Sequence, residues 1–154
     1  MTHTLETLKD YWRDLCLKHK DVQQFMVGNY YDSANSGNDK YPLCFWEMPY
    51  VVDMDLNKPV DRIQISFNVF LLTKQDDIAD AHEAISLAKA IGDAIIIKAK
   101  KDSSSGFIIN NANGISVREY TDDYVAGIRW DLTLTVQREM CDYNIDEYFN
   151  DVVE

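Results

Sequence analysis

Histidine and cysteine are scarce in this chain of 154 residues, with three of each. Cys16, Cys44 and Cys141 are odd in number and contain no CxxC pair, so neither a disulfide framework nor a zinc knuckle is encoded. They read as buried or incidental thiols in a reducing compartment. His3, His19 and His82 lie far from one another, which leaves no local histidine cluster for a metal. Basic residues are also few: 15 Lys and Arg face 26 Asp and Glu, a net charge of −11. That balance works against the counterion release that drives most nucleic-acid binding, and it excludes a tight DNA-groove binder. Long apolar runs are missing as well. The densest, Ala94 to Ile97, falls far short of the ~20 residues that span a bilayer, so no membrane-spanning helix is expected. Met1 to Asp14 carries acids and Trp12 where a signal peptide needs a basic end and an apolar run, so export by that route is not expected.

Catalytic signatures are absent too. The chain has no G-x-S-x-G, G-x-x-x-x-G-K-[ST] or G-x-G-x-x-G, which removes the usual support for a nucleophile elbow or a phosphate cradle. His82-Glu83-Ala84-Ile85-Ser86 opens like a zinc-protease helix but puts Ser86 where the second histidine must stand. Asp53-Met54-Asp55-Leu56-Asn57 copies the start of a calcium loop, yet Lys58 takes the glycine position and Gln64 that of the bidentate Glu. Both read as solvated surface. No enzyme activity, cofactor or metal site is expected.

What is present is ordinary folded-protein chemistry: 46% apolar and 27% charged residues, enough for one core. Leu5, Leu8, Trp12, Leu15, Cys16 and His19 recur at helical spacing and predict a helix over Thr4 to Lys20, capped by Thr4. Gly28 to Lys40 is rich in Asn, Ser, Gly and Asp and reads as a loop. Leu43 to Val52 and Val60 to Leu72 read as strands of a long hairpin around Asp53 to Pro59. Asp76 and Asp77 open a second helix, in which Ile78 to Ala99 keep a 3.6 period and Lys98, Lys100 and Lys101 close it. Phe107 to Asn110 and Ile115 to Tyr120 flank Asn113-Gly114, the favoured pair for a tight turn, which predicts a hairpin there. Tyr124 to Arg138 is the last strand. The expected fold is α+β, an antiparallel or mixed sheet with two main helices on one face and a protruding hairpin. Residues 1–138 form that single domain, and 139–154 an acidic C-terminal segment.

Two features ask for a partner. Tyr41 to Val52 carries more apolar surface than one sheet face hides, so Tyr50, Val51, Val52 and Met54 are expected to stand beyond the sheet and to be covered only by other subunits. Phe70 and Leu72, on the polar side of the next strand, are assigned to the same interface. After Arg138, the last basic residue, come Glu139, Asp142, Asp146, Glu147, Asp151 and Glu154. Tyr143, Ile145, Tyr148 and Phe149 would give a short helix in that segment an apolar edge beside an acidic one, suited to docking on an adjacent subunit.

Tyr41-Pro42-Leu43-Cys44-Phe45-Trp46-Glu47, Arg62 to Val69 and Trp130 to Val136, in this order of elements, resemble the tail-terminator and neck-ring (head-tail connector) proteins of tailed bacteriophages. The Pro-Leu-Cys-Phe-Trp-Glu string is also similar to proteins of short-tailed phages of Bacteroides-type hosts. The resemblance implies a structural virion protein, assembled in the host cytoplasm. It would form a homo-oligomeric ring between portal, neck or tail proteins, with DNA passing non-specifically through its channel and no membrane contact. Two other classes suit the same elements: a small ligand-binding or regulatory domain of ferredoxin-like architecture, which would show a deep pocket, and an enzyme, which would need carboxylates converging in a cleft.

Overall fold

Thr4 starts the first helix by reciprocal capping: its Oγ1 accepts from the Thr7 amide at 3.1 Å, and Thr7 Oγ1 accepts from the Thr4 amide at 2.9 Å. In the computed structural model, which describes residues 2–29, 39–120, 124–140 and 144–150, helix α1 spans Leu5–Lys18. It buries Leu8, Trp12 and Cys16, one stripe at four-residue spacing. The helix stops two residues before Lys20, because His19 turns to extended backbone and its Nδ1 accepts from the Asp21 amide.

Strand β1, Gln24–Gly28, was not legible as a strand; it pairs in parallel with β2, Leu43–Met54, from Gln24↔Leu43 to Gly28↔Glu47. β2 then pairs antiparallel with β3, Val60–Leu72, as the hairpin expectation required. Their register breaks between Glu47 and Val51. Pro49 lies in that stretch and has no N–H to offer a ladder, so the break falls where proline is tolerated. Helix α2, Ile78–Lys101, starts at Asp77, whose side chain accepts from the Asp80 amide at 2.9 Å.

β4 corrects one expectation. It runs unbroken from Phe107 to Tyr120 and pairs along that length with β5, Tyr124–Gln137, so Asn113-Gly114 makes no turn. Gly114 lies opposite Trp130, and a Cβ there would sit 3.0 Å from the indole Nε1. The glycine makes room for a ring, not for a reversal of the chain. The resulting five-stranded mixed sheet has the order β1-β2-β3-β5-β4.

Both helices pack on one face of this sheet. Leu8, Trp12 and Cys16 of α1 and Ala88, Ile91 and Ile95 of α2 share a core with Trp46, Ile63, Ile65, Phe67, Trp130, Leu132 and Leu134. Trp12 is its hub, stacked on Trp46 at 5.4 Å and on Phe107 at 5.8 Å. Two glycines allow close approach. A Cβ on Gly92 would meet the Trp130 ring at 1.9 Å, and one on Gly127 would meet the Val69 carbonyl oxygen at 1.8 Å.

The other face carries no described helix. One end of it holds a second, small cluster of Phe45, Phe70 and Val125, with Met26, Tyr41 and Val117 against it. Phe70 is therefore 3% exposed inside its own domain, which corrects its assignment as an interface residue. The alternation places Phe70 away from the helices as expected, but neighbouring strands supply partners for it there.

Candidate interaction surfaces

Three surfaces emerge from the fold, and the first is the open end of the β2–β3 hairpin. β1 ends at Gly28, opposite Glu47, so beyond Glu47 the described residues pair β2 with β3 alone. In that half Val51, Val52 and Met54 are 57%, 49% and 54% exposed, as the sequence led us to expect, and Leu56 at the tip is barer still. Tyr50 departs from the expectation. It packs against the main core, and burial pushes its phenol above the ordinary value while a hydrogen bond with Trp46 pulls the other way. Leu72, at the opposite end of β3, is exposed.

Arg138 holds the hairpin tip. Its backbone N–H donates to Pro59 O at 2.9 Å, Nη2 donates to Asp55 O and Lys58 O at 3.0 Å, and Nη1 binds Asp61 Oδ1 at 2.8 Å. Sequence reasoning missed this clamp, because nothing local links Arg138 to a turn some eighty residues earlier. Asp55, part of the calcium-loop likeness, is engaged in the turn itself: Oδ1 accepts from the Asn57 and Lys58 amides, which hold its carboxyl below the ordinary range.

The second surface is the far edge of the sheet. β4 pairs only with β5 among the described residues, and residues 110–116 are exposed on both sides of the strand. The chain carries no charged residue from Ser103 to Val117, and this edge has neither Lys nor Pro to blunt it. Ile108 and Ile115 stand exposed along it.

The third is a groove between α1 and α2. Tyr11 OH donates to Asp102 Oδ2 at 2.7 Å across its head. Burial first, and then Asp102, push the tyrosine phenol well up. Beside that bond lies a cavity of about 410 Å³ bordered by Lys18, Lys98 and Lys101, and a smaller one of about 270 Å³, lined by Ala94 and Ile95, shares Leu15, Lys18 and Lys98 with it. These lysines read in the sequence as helix-end charges that suit the macrodipole. Only the packing of α1 on α2 brings them to one groove.

The C-terminal segment forms a short helix of the 3-10 kind at Ile145–Tyr148. Ile145 and Tyr148 are exposed and Phe149 is 70% exposed, while Tyr143 lies outside the described residues.

A polar cluster sits on the face that carries no described helix, where Arg129 Nη2 donates to Ser66 Oγ at 3.0 Å and lies 3.3 Å from Glu47 Oε2. Ser66 Oγ in turn donates to Asp131 Oδ1 at 2.9 Å. The cluster ties β2, β3 and β5 in register. The histidines are elsewhere: His3 is buried with Nε2 donating to Ser105 O, His19 ends α1, and His82 is exposed on α2. Among the described residues no group of three His, Cys, Asp or Glu gathers to hold a metal. Cys16 and Cys44 are buried, and burial with a hydrogen bond to Cys44 pushes the Cys16 thiol well up. Cys141 lies outside the described residues. No described helix is long and apolar enough to cross a membrane. No protein-family model matches the chain, and no curated protein does.

Proposed function

We propose that this chain is a structural subunit that assembles head to tail with its own copies into a closed ring, at the neck or head-proximal end of a tailed-phage tail. The observation that carries the reading is the pair of strand edges left unpaired among the described residues on opposite sides of one sheet: β4, and β2 beyond Glu47. Added to each other in successive copies, they would continue the sheet from subunit to subunit, and a fixed rotation between copies closes such a contact into a ring. Exposed apolar side chains line both edges: Val51, Val52 and Met54 on one, Ile108 and Ile115 on the other. The phage assignment rests on the sequence resemblance. A ring with net charge −11 per subunit suits a channel for DNA, since a negative wall repels phosphates and lets the genome slide. Light scattering and negative-stain microscopy of the purified chain, from micromolar to millimolar subunit, test the assembly: rings of constant size support it. A monomer throughout that range overturns it. Portal, capsid and tail genes flanking this one are the expected outcome for the virion role, and metabolic neighbours would count against it.

A further inference from the structure

We infer that the groove between α1 and α2 receives the C-terminal segment, Ile145 to Phe149, of a second copy of this chain. The inference rests on the self-assembly reading and adds a specific contact to it. Groove and segment complement each other in two respects at once. The groove has an apolar floor, Leu15, Ala94 and Ile95, below a rim of Lys18, Lys98 and Lys101. In the 3-10 turn, side chains three apart eclipse, so Ile145 and Tyr148 share one edge while Asp146 and Glu147 lie beside it. Phe149 extends the apolar edge. Laid along the groove, the apolar edge meets the floor and the two acids meet the lysines.

The charges support this pairing. None of the three lysines is within ion-pair distance of a carboxylate among the described residues, Lys98 acting on Asp102 only at longer range, in a chain whose bases are outnumbered 26 to 15. The two acids that border the same cavity are already engaged: Asp14 is 3.3 Å from Arg13, and Asp102 accepts from Tyr11 and Ser104. The segment also fits within the groove: four residues of 3-10 helix rise about 8 Å, and the stretch of α1 from Tyr11 to Lys18 that borders the groove rises about 12 Å.

The donor is assigned to another copy, because within one copy the segment is not seated in the groove: none of Ile145 to Phe149 borders it. Ile145, Tyr148 and Phe149 are exposed, and the segment is tethered near the hairpin tip, where Arg138 is clamped and Asn144 Nδ2 donates to Glu139 O. A head-to-tail contact needs two different surfaces on each subunit, and segment and groove supply them. The binding mode is that of an amphipathic turn in an apolar groove with a charged rim.

A photo-crosslinking amino acid at Tyr148 of the full chain, in an equal mixture of light and heavy-isotope copies, tests the inference. The expected result is mixed-isotope crosslinks from residue 148 to peptides holding Leu15 or Ile95. In parallel, Lys98→Glu with Lys101→Glu is expected to weaken association about tenfold. Asp146→Lys with Glu147→Lys in the other copy is expected to restore it. These four residues are exposed, so circular dichroism should stay unchanged and separate a lost contact from a lost fold. Oligomers whose crosslinks fall elsewhere, or only within one copy, overturn the groove assignment and leave the ring reading standing. A chain that is monomeric at every concentration overturns both.

Discussion

At the residue scale, most of the sheet's helix-side core is set by three tryptophans and the small residues that admit them. Trp130 is the clearest case. It stacks on Phe67 at 5.9 Å, reaches α2 through the missing side chain of Gly92 and crosses β4 through that of Gly114. Gly92 sits in the middle of a helix, where glycine is intrinsically poorer than alanine by about 1 kcal/mol. Helix propensity alone would therefore make Gly92→Ala stabilising. Overpacking decides otherwise: the added methyl lands 1.9 Å from a ring held on both sides, a clash of the kind that costs about 1–3 kcal/mol beyond the propensity gain. We expect Gly92→Ala to lower the urea midpoint in the wild-type background. In a Trp130→Leu background, where the ring is gone, the same change is expected to raise it. The sign reversal in this double-mutant cycle is the measurement, and equal effects in both backgrounds would mean the contact is slack.

At the element scale, what was legible depended on length and on where the partners lay in sequence. α1, α2, β3 and β5 are long enough for their periods to show, and Ile63, Ile65, Phe67 and Val69 alternate in β3 as read. β1 has five residues at a sheet edge, too few for alternation, and its strand character comes from β2, to which it pairs in parallel. Asn113-Gly114 misled for a tertiary reason: the turn preference of that pair lost to continuous pairing with β5 and to the space Trp130 needs. Exposure of Val51, Val52 and Met54 was legible from the excess of apolar residues around them. The buried state of Phe70 was not, since Phe45 and Val125 reach it from distant parts of the chain. The groove was invisible for the same reason, and so was the Arg138 clamp. That clamp carries a consequence for the hairpin. Arg138 and Asp61 are both largely buried, and the arginine also satisfies two carbonyls of the tip. Arg138→Met keeps the stem and removes the bonds, leaving Asp61 without its cation; a loss of about 1–3 kcal/mol is expected. Hydrogen exchange should rise at Val60 and across residues 55–58 and remain unchanged in α2, which locates the effect.

At the scale of the whole molecule, the charge of −11 sets the terms on which copies can meet. Like-charged subunits repel unless the surfaces in contact are neutral or complementary, and the chain offers both kinds. β4 is neutral from Phe107 to Val117, and the groove rim is basic where the C-terminal segment is acidic. In the head-to-tail contact proposed here, the sheet continues from β4 of one copy to β2 of the next, and each copy offers one of each. This asymmetry can be tested without a structure of the assembly. Val52→Lys places a charge in the β2 edge and leaves β4 intact; Ile115→Lys does the reverse. Both positions are about half exposed or more, so either variant should fold as the wild type does. Alone, each copy lacks one half of the contact, and each variant is expected to stay monomeric at concentrations where the wild type forms rings. Mixed in equal amounts, the two still hold one good pair of edges, β4 of the Val52→Lys copy and β2 of the Ile115→Lys copy. They are therefore expected to form a 1:1 heterodimer that grows no further, visible by native mass spectrometry. If β4 instead paired with β4 of a second copy about a two-fold axis, Val52→Lys would assemble normally by itself and the mixture would show no such heterodimer. That outcome would replace the head-to-tail contact with an isologous one and remove the basis for a ring.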